Sequence, residues 1–262
     1  MPGFQLGCQT ITFGNDQKER FPEVFAAVVQ AGYEGVEVGF RHIVETAPEK
    51  LRAMLAEHGL VLLGTHLGGN LEDPAQAESE REILVEVLDY LEVAGGDLVM
   101  YSGLRYSDDQ QLREDLEMLN RSARRCRERG VELLYHNHNW EFEDDRRVIE
   151  ALLEEGCEEL GFCPDIGWVM KGGEDVVQFL DRAGKRVRAL HFKDFASEGE
   201  KVDTVILGTG VAPLEEAAEW ALAQMDGGWM IAEQDSAGCP AAKAVAANGR
   251  FLQDLFPAEV RG

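Results

Sequence analysis

The sequence predicts a closed (β/α)8 barrel, on three observations. Short apolar or β-branched runs recur roughly every 30 residues, eight times along a 262-residue chain. Amphipathic segments with helical spacing separate them. The side chains able to do chemistry gather at the ends of those runs, which in such a barrel meet at one mouth. An open, doubly wound sheet is the rival. It would want a glycine-rich phosphate turn after the first strand, and "CQTITFGNDQKE" contains no GxGxxG.

The strands are expected at "FQLGCQTITF" (4–13), "GVEVGF" (35–40), "LVLLGTHL" (60–67) and "DLVMYSG" (97–103). They continue at "VELLYHNH" (131–138), "LGFCPDIG" (160–167), "VRALHFKDF" (187–195) and "GWMIAEQD" (228–235). Between them, Ile83, Leu84, Val87, Leu88 and Leu91 share one helix face, and Gly95-Gly96 ends that helix. Leu112, Leu116, Leu119, Ala123 and Cys126 share another face between 108 and 130, with acids early and arginines late, as the helix dipole favours. Gly130 then stands where a left-handed helix stop is wanted. No linker or change of composition divides residues 1–262, so one domain is expected.

Composition narrows the class. Hydrophobic residues make up 45% of the chain, enough for a large core. The 25 basic and 49 acidic residues leave a net charge of −24, which repels phosphate backbones and anionic lipid. Neither nucleic acid nor a membrane is therefore an expected partner. The five cysteines form no CxxC pair, and "MPGFQLGCQT" has no secretion-signal layout, so a reduced, cytoplasmic location is expected.

Four of six histidines fall at expected strand ends: His66, His136, His138 and His191. Asp165, Lys193, Glu233 and Asp235 fall there too, and Glu37 lies in the second strand. Strand alternation puts His136 with His138, Cys163 with Asp165, His191 with Lys193 and Glu233 with Asp235 on common faces. Carboxylates and imidazoles converging in a barrel mouth need a compensating charge. A divalent cation supplies it, and this donor set suits Mn²⁺, Co²⁺, Fe²⁺ or Zn²⁺, and Mg²⁺ less comfortably. Alternatives stay open residue by residue. Asp165 could be only a helix N-cap, His66 could merely bond a neighbour, and Lys193 could pair with a ring carboxylate. "GTG" at 208–210, with no GK[ST] after it, reads as a turn rather than a phosphate cradle.

"YHNHNWEF", "CPDIGWVMKGG", "ALHFKDF", "LGTGVAPL" and "IAEQD", together with "GYEGVEV", resemble the sugar isomerase/epimerase group of xylose isomerase-like TIM barrels. The resemblance spans nearly the whole chain. It implies one divalent metal held by Glu, Asp, His and Glu from the last four strands. Asp165, His191 and Glu233 match three of those places. The fourth, at the end of strand five, holds His136. Either His136 itself ligates, or Glu141 turns back into the mouth, and Glu141 is the expected ligand.

The resemblance also implies proton transfer beside the carbonyl of a small sugar or polyol, and a homo-oligomer as the family habit. On that basis Glu233 would remove the proton, Lys193 and His138 would stabilise or shuttle charge, and Glu141 would return a proton from the opposite face. Glu37, His66 and His136 would contact substrate. The leading expectation is a metal-dependent isomerase or epimerase of a small, neutral carbohydrate. A dehydratase of the inosose type is the alternative, and an abasic-site endonuclease a more distant one.

Overall fold

The computed structural model describes residues 3–68, 74–199, 203–236 and 238–262, and for 74–82 the backbone alone. Eight parallel strands form the barrel: β1 (Phe4–Gln9), β2 (Gly35–Gly39), β3 (Val61–Gly68), β4 (Leu98–Ser102), β5 (Glu132–Tyr135), β6 (Leu160–Phe162), β7 (Ala189–Phe192) and β8 (Gly228–Ala232). Each pairs in parallel with its neighbours in the order β6-β5-β4-β3-β2-β1-β8-β7. The last gap, between β6 and β7, is closed by two isolated parallel bridges, Phe162 with Val187 and Asp165 with His191. Backbone bonds from Arg188 N to Phe162 O (3.0 Å) and from His191 N to Pro164 O (2.9 Å) hold this seam. Pro164 has no N–H to donate, which helps keep the seam from becoming a full ladder.

Alternation along the strands sorts the side chains into two cores. Leu63, Leu98, Met100, Leu134, Cys163, Ala189, Trp229 and Ile231 fill the barrel interior. The alternate positions, among them Leu133, Tyr135, Leu190 and Met230, pack outward beneath the helices. The helix Asp109–Glu128 shows the expected design. Asp108 caps it by accepting from Gln110 N and Gln111 N, and Leu112, Leu116, Leu119, Ala123 and Cys126 are buried. Gly130 follows with φ +74°, a backbone that glycine tolerates best.

Most of the strands are shorter than the apolar runs that announced them. The first run, 4–13, is strand only to Gln9. There the side-chain Oε1 accepts Ile11 N at 2.6 Å and starts a 3-10 turn over Thr10–Phe13. The run 131–138 stops as a strand at Tyr135, and 160–167 at Phe162. The run 187–195 divides into β7 and a short antiparallel ribbon, Asp194–Phe195 with Thr204–Val205. The polar ends of these runs are mouth loops: His136 N and Cys163 N still bond carbonyls of neighbouring strands, and two residues on, His138 N and Asp165 N bond the side chains of Glu141 and Asn137.

Candidate metal and active site

The interior alternation of the last four strands builds the site. Leu134, Cys163, Ala189 and Ile231 belong to the barrel interior, and His136, Asp165, His191 and Glu233 stand two residues above them. Each inward side chain thus rises from the apolar floor into the mouth. One donor atom from each of the four lies within 4.8 Å of all the others. His136 Nε2 is 4.0 Å from Asp165 Oδ2 and 3.9 Å from Glu233 Oε2. All four residues are buried.

Asp165 does two things at once. Its Oδ1 caps the helix Ile166–Lys171 by accepting Trp168 N at 2.9 Å. Its Oδ2 is buried and accepts no hydrogen bond. The N-cap and the ligand readings therefore use different oxygens of one carboxylate. Burial pushes the Asp165 carboxyl up to about 7, with Glu233 adding to the rise and Lys193 opposing it. Glu233 is also buried, but Lys193 and His191 outweigh burial and hold it ionised, well below the usual carboxylate range.

His191 is gripped at both ring nitrogens. Nδ1 lies 2.5 Å from Glu233 Oε2, and Nε2 lies 2.7 Å from Glu37 Oε2. Burial works against a charged ring, yet Glu37 and Glu233 raise its pKa well above the ordinary value. Glu37 was expected to touch substrate. It is fully buried, with one oxygen on His191 and the other 3.3 Å from His66 Nδ1. A carboxylate so placed can orient an imidazole from behind, as outer partners of metal ligands do. The alternation in β2 dictates it: Val36 and Val38 pack outward, so Glu37 points in.

Of the two candidates for the fourth donor, His136 joins the cluster and Glu141 does not. Glu141 Oε1 accepts the Tyr135 hydroxyl at 2.8 Å, and Oε2 accepts His138 N at 2.7 Å. Its carboxylate thus fixes the loop after β5 and is not among the clustered donors, where the ligand reading expected it. His136, expected to contact substrate with ligation as the alternative, sits buried in this cluster. Burial, then the neighbouring His191, pushes its pKa well down, so its ring is neutral, as a ligand requires.

Lys193 is a buried ammonium between three carboxylates. Its Nζ is 3.3 Å from Asp165 Oδ2, 3.3 Å from Glu233 Oε1 and 3.0 Å from Asp235 Oδ2. Burial disfavours its charge, and those three acids more than restore it. The residues present fit a divalent cation: two carboxylates, one with a buried oxygen lacking any hydrogen bond, and two imidazoles, one held from behind by Glu37. An ion seated there would share Asp165 and Glu233 with Lys193.

Beside this cluster opens a cavity of about 880 Å³. Glu233, His138 and His66 reach its wall. His66 Nε2 bonds Ser102 Oγ at 2.9 Å. The ring of His138 stacks on Trp140 at 4.0 Å, and Arg105 lies over that same indole at 3.9 Å. Burial, then Lys193, keeps His138 neutral. Trp140 therefore packs the rim and lines the cavity together, whereas Phe142 is buried against Phe179. Sequence reasoning missed Ser102, the last residue of β4, and Arg105, which follows it; the only signal was a polar residue at that strand's end. The GTG turn holds no phosphate cradle. Asp194 Oδ2 accepts from Gly208 N (3.0 Å) and Gly210 N (2.8 Å), and Oδ1 from Ala212 N (3.0 Å). The chain's own carboxylate occupies those amides.

Known proteins place this architecture. A curated inosose dehydratase from Geobacillus kaustophilus is 25% identical over 275 residues, covering 89% of this chain and 89% of that protein. A sugar phosphate isomerase/epimerase from Parabacteroides distasonis superposes with a TM-score of 0.78 at 20% identity, covering 97% of each chain. A D-allulose 3-epimerase from Methylomonas sp. superposes at 0.80 with 14% identity, over 97% of this chain and 99% of that one. No helix among the described residues is long and apolar enough to cross a membrane. The model of the xylose isomerase-like TIM barrel matches residues 25–255, and the chain belongs to that family of enzymes.

Proposed function

We propose that this protein is a divalent-metal-dependent lyase that removes water from a small keto-polyol or keto-sugar, beginning with proton abstraction beside the carbonyl. One observation carries the choice of dehydration. Glu141 is withdrawn into the loop after β5, which leaves Glu233, among the described residues, as the buried carboxylate of the cavity wall; Glu86 stands exposed at the mouth. Epimerisation needs proton carriers on both faces of the reacting carbon. Elimination on one face needs a single carboxylate, and the curated relative named as an inosose dehydratase supports the same reading.

His136, Asp165, His191 and Glu233 would hold the metal. When bound, it supplies Lewis acidity that polarises the substrate carbonyl. Glu233, kept ionised by Lys193 and His191, accepts the proton from the carbon beside the carbonyl. The C–H electrons form the new C=C bond, the adjacent C–O bond breaks, and Glu233 hands its proton to the departing hydroxyl, which leaves as water. The Lys193 ammonium, 3.3 Å from Glu233 Oε1, stabilises negative charge developing on the substrate oxygen. His138 and His66 bind hydroxyls from the cavity wall.

The same carboxylate would return the proton to the neighbouring carbon in a one-face isomerisation, which is the second reading. Incubation with Mn²⁺ and a panel of keto-polyols and keto-sugars in D₂O, followed by NMR, separates them. Loss of water with a new alkene or its tautomer is expected, and Glu233→Gln abolishes it. Solvent deuterium entering without loss of water would transfer the assignment to isomerisation. No change in any substrate by metal-loaded protein would overturn both.

A further inference from the structure

The geometry points to a second, deeper metal position in the barrel, formed by His136, Cys163 and His191, which takes a thiophilic ion such as Zn²⁺ or Cd²⁺ in place of the ion at the mouth. It shares both imidazoles with the metal site proposed above, and so rests on that reading of them but not on the reaction assigned there.

Strand register brings the three residues together. Tyr135 pairs with Phe162, and Cys163 N donates to Tyr135 O at 2.9 Å, so His136 and Cys163 stand side by side just beyond the β5–β6 ladder. Cys163 precedes Asp165 by two residues on the same face, one level nearer the apolar floor. Asp165 bridges His191 across the seam, which brings in the second imidazole. The Cys163 thiol and the His191 ring are hydrogen-bonded. One ring nitrogen from each histidine and the Cys163 sulfur all lie within 4.8 Å of one another, and all three residues are buried.

Donors on one tetrahedral zinc ion stand about 3.3–3.6 Å apart. A trio no wider than 4.8 Å therefore closes on an ion with small side-chain turns. Two imidazoles and a thiolate leave the fourth position for water. A second observation points the same way. His136 Nε2 is the atom 4.0 Å from Asp165 Oδ2 and 3.9 Å from Glu233 Oε2, while its Nδ1 is buried with no hydrogen-bond partner. A buried nitrogen left so costs free energy unless an ion or a proton donor meets it. Sulfur decides which ion goes where: carboxylate oxygens suit Mn²⁺ and Mg²⁺, and thiolate suits Zn²⁺ and Cd²⁺. As the metal–sulfur bond forms, the thiol proton passes to solvent. Asp165 and Glu233 keep a counter-charge meanwhile, since Lys193 Nζ lies 3.3 Å from each. A ligating imidazole has one lone pair to give, so His136 and His191 serve one ion at a time and the two positions exclude each other.

The test uses the full-length protein, stripped of metal, kept reduced with a non-chelating phosphine and titrated with Co²⁺. Cobalt reports a thiolate ligand through a sulfur-to-metal charge-transfer band in the near ultraviolet. The band is expected in the native protein and in Asp165→Asn, and it should be absent from Cys163→Ala and from His136→Gln. Calorimetry adds the affinities. Cys163→Ala should weaken Zn²⁺ and Cd²⁺ by about 10-fold or more and leave Mn²⁺ within about 3-fold. Circular dichroism checks folding, and Cys163→Ser stands in if Cys163→Ala does not fold. The contrast between Asp165→Asn and His136→Gln tests the same assignment without touching the thiol.

A native protein that binds Co²⁺ with no thiolate band would overturn the proposal, as would failure to bind Co²⁺ at all or a band that survives in Cys163→Ala. A band lost in Asp165→Asn would put the ion in the mouth cluster and overturn it too. So would equal losses of Zn²⁺ and Mn²⁺ affinity in Cys163→Ala, which would make the thiol a structural part only. Mn²⁺ bound with no thiolate band for Co²⁺ would sink this proposal and leave the proposed metal chemistry intact. A thiolate band in a protein that does not bind Mn²⁺ would uphold it while removing that chemistry.

Discussion

The loops after β5 and β6 each present one fully buried acid, and the two fare differently. Glu141 and Asp165 are both 0% exposed, and burial pushes each carboxyl up to about 7. Glu141 has a hydrogen-bond donor on each oxygen, the Tyr135 hydroxyl and His138 N. Asp165 has a backbone donor on Oδ1 and none on Oδ2, which faces the ammonium of Lys193 and the ring of His136. Burial alone therefore does not mark a ligand. The distinguishing feature is an oxygen desolvated and left without a hydrogen bond, a cost that persists in folded proteins where something else compensates it.

That contrast is most exposed to metal binding. Asp165→Asn is expected to weaken Mn²⁺ binding by more than about 100-fold, since even an outer partner of a ligand costs ~10–100-fold. Glu141→Gln is expected to leave affinity within about 3-fold on the same scale, because it holds a loop and not the ion. Calorimetric titration and metal analysis of both variants check this, and the reverse ranking would break the comparison.

Stability against pH sharpens the Glu141 side. Its folded pKa of about 7 lies above the ordinary 4.5, so the folded chain keeps a proton that the unfolded chain has lost. Unfolding then releases a proton between these values, and the contribution, fully present below pH 4.5, disappears as pH rises through 7. At about 1.4 kcal/mol per pKa unit, the loss across that window is about 3 kcal/mol. Urea unfolding of metal-free protein at several pH values should show this decline for Asp165→Asn, in which the competing titration is gone. It should be largely absent when Glu141→Gln is added. Equal slopes would assign the titration elsewhere.

The smallest effect concerns the acid behind His191. Glu37→Gln keeps one hydrogen bond to the ring but removes its charge, and metal affinity should fall by ~10-fold, the lower end for outer partners. A loss as large as that of Asp165→Asn would instead make Glu37 a direct ligand.

The barrel was legible because its signals are local. Alternation in "GVEVGF" and the face formed by Leu112, Leu116 and Leu119 each need only a few neighbouring residues. Asp165, His191 and Glu233 were legible for the same reason, each two residues above an interior position. What failed to be read depends on where a side chain turns after its strand has ended. His136 and Glu141 are five residues apart on one loop, and nothing in their spacing says that Tyr135 would claim the glutamate. The bond from Glu37 to His191 spans 154 positions, so only the closed barrel brings them together. Arg105 gave no periodic signal, because its orientation comes from the face of Trp140.

The seam between β6 and β7 has a consequence for the enzyme's working life. Asp165 and His191 are one of the two bridges that shut the barrel there, so two proposed ligands double as its clasp. Parting the cylinder along its least stitched edge would pull those donors away from each other. Heat or denaturant should therefore silence the enzyme at the first opening of that edge, well before the remaining staves come apart.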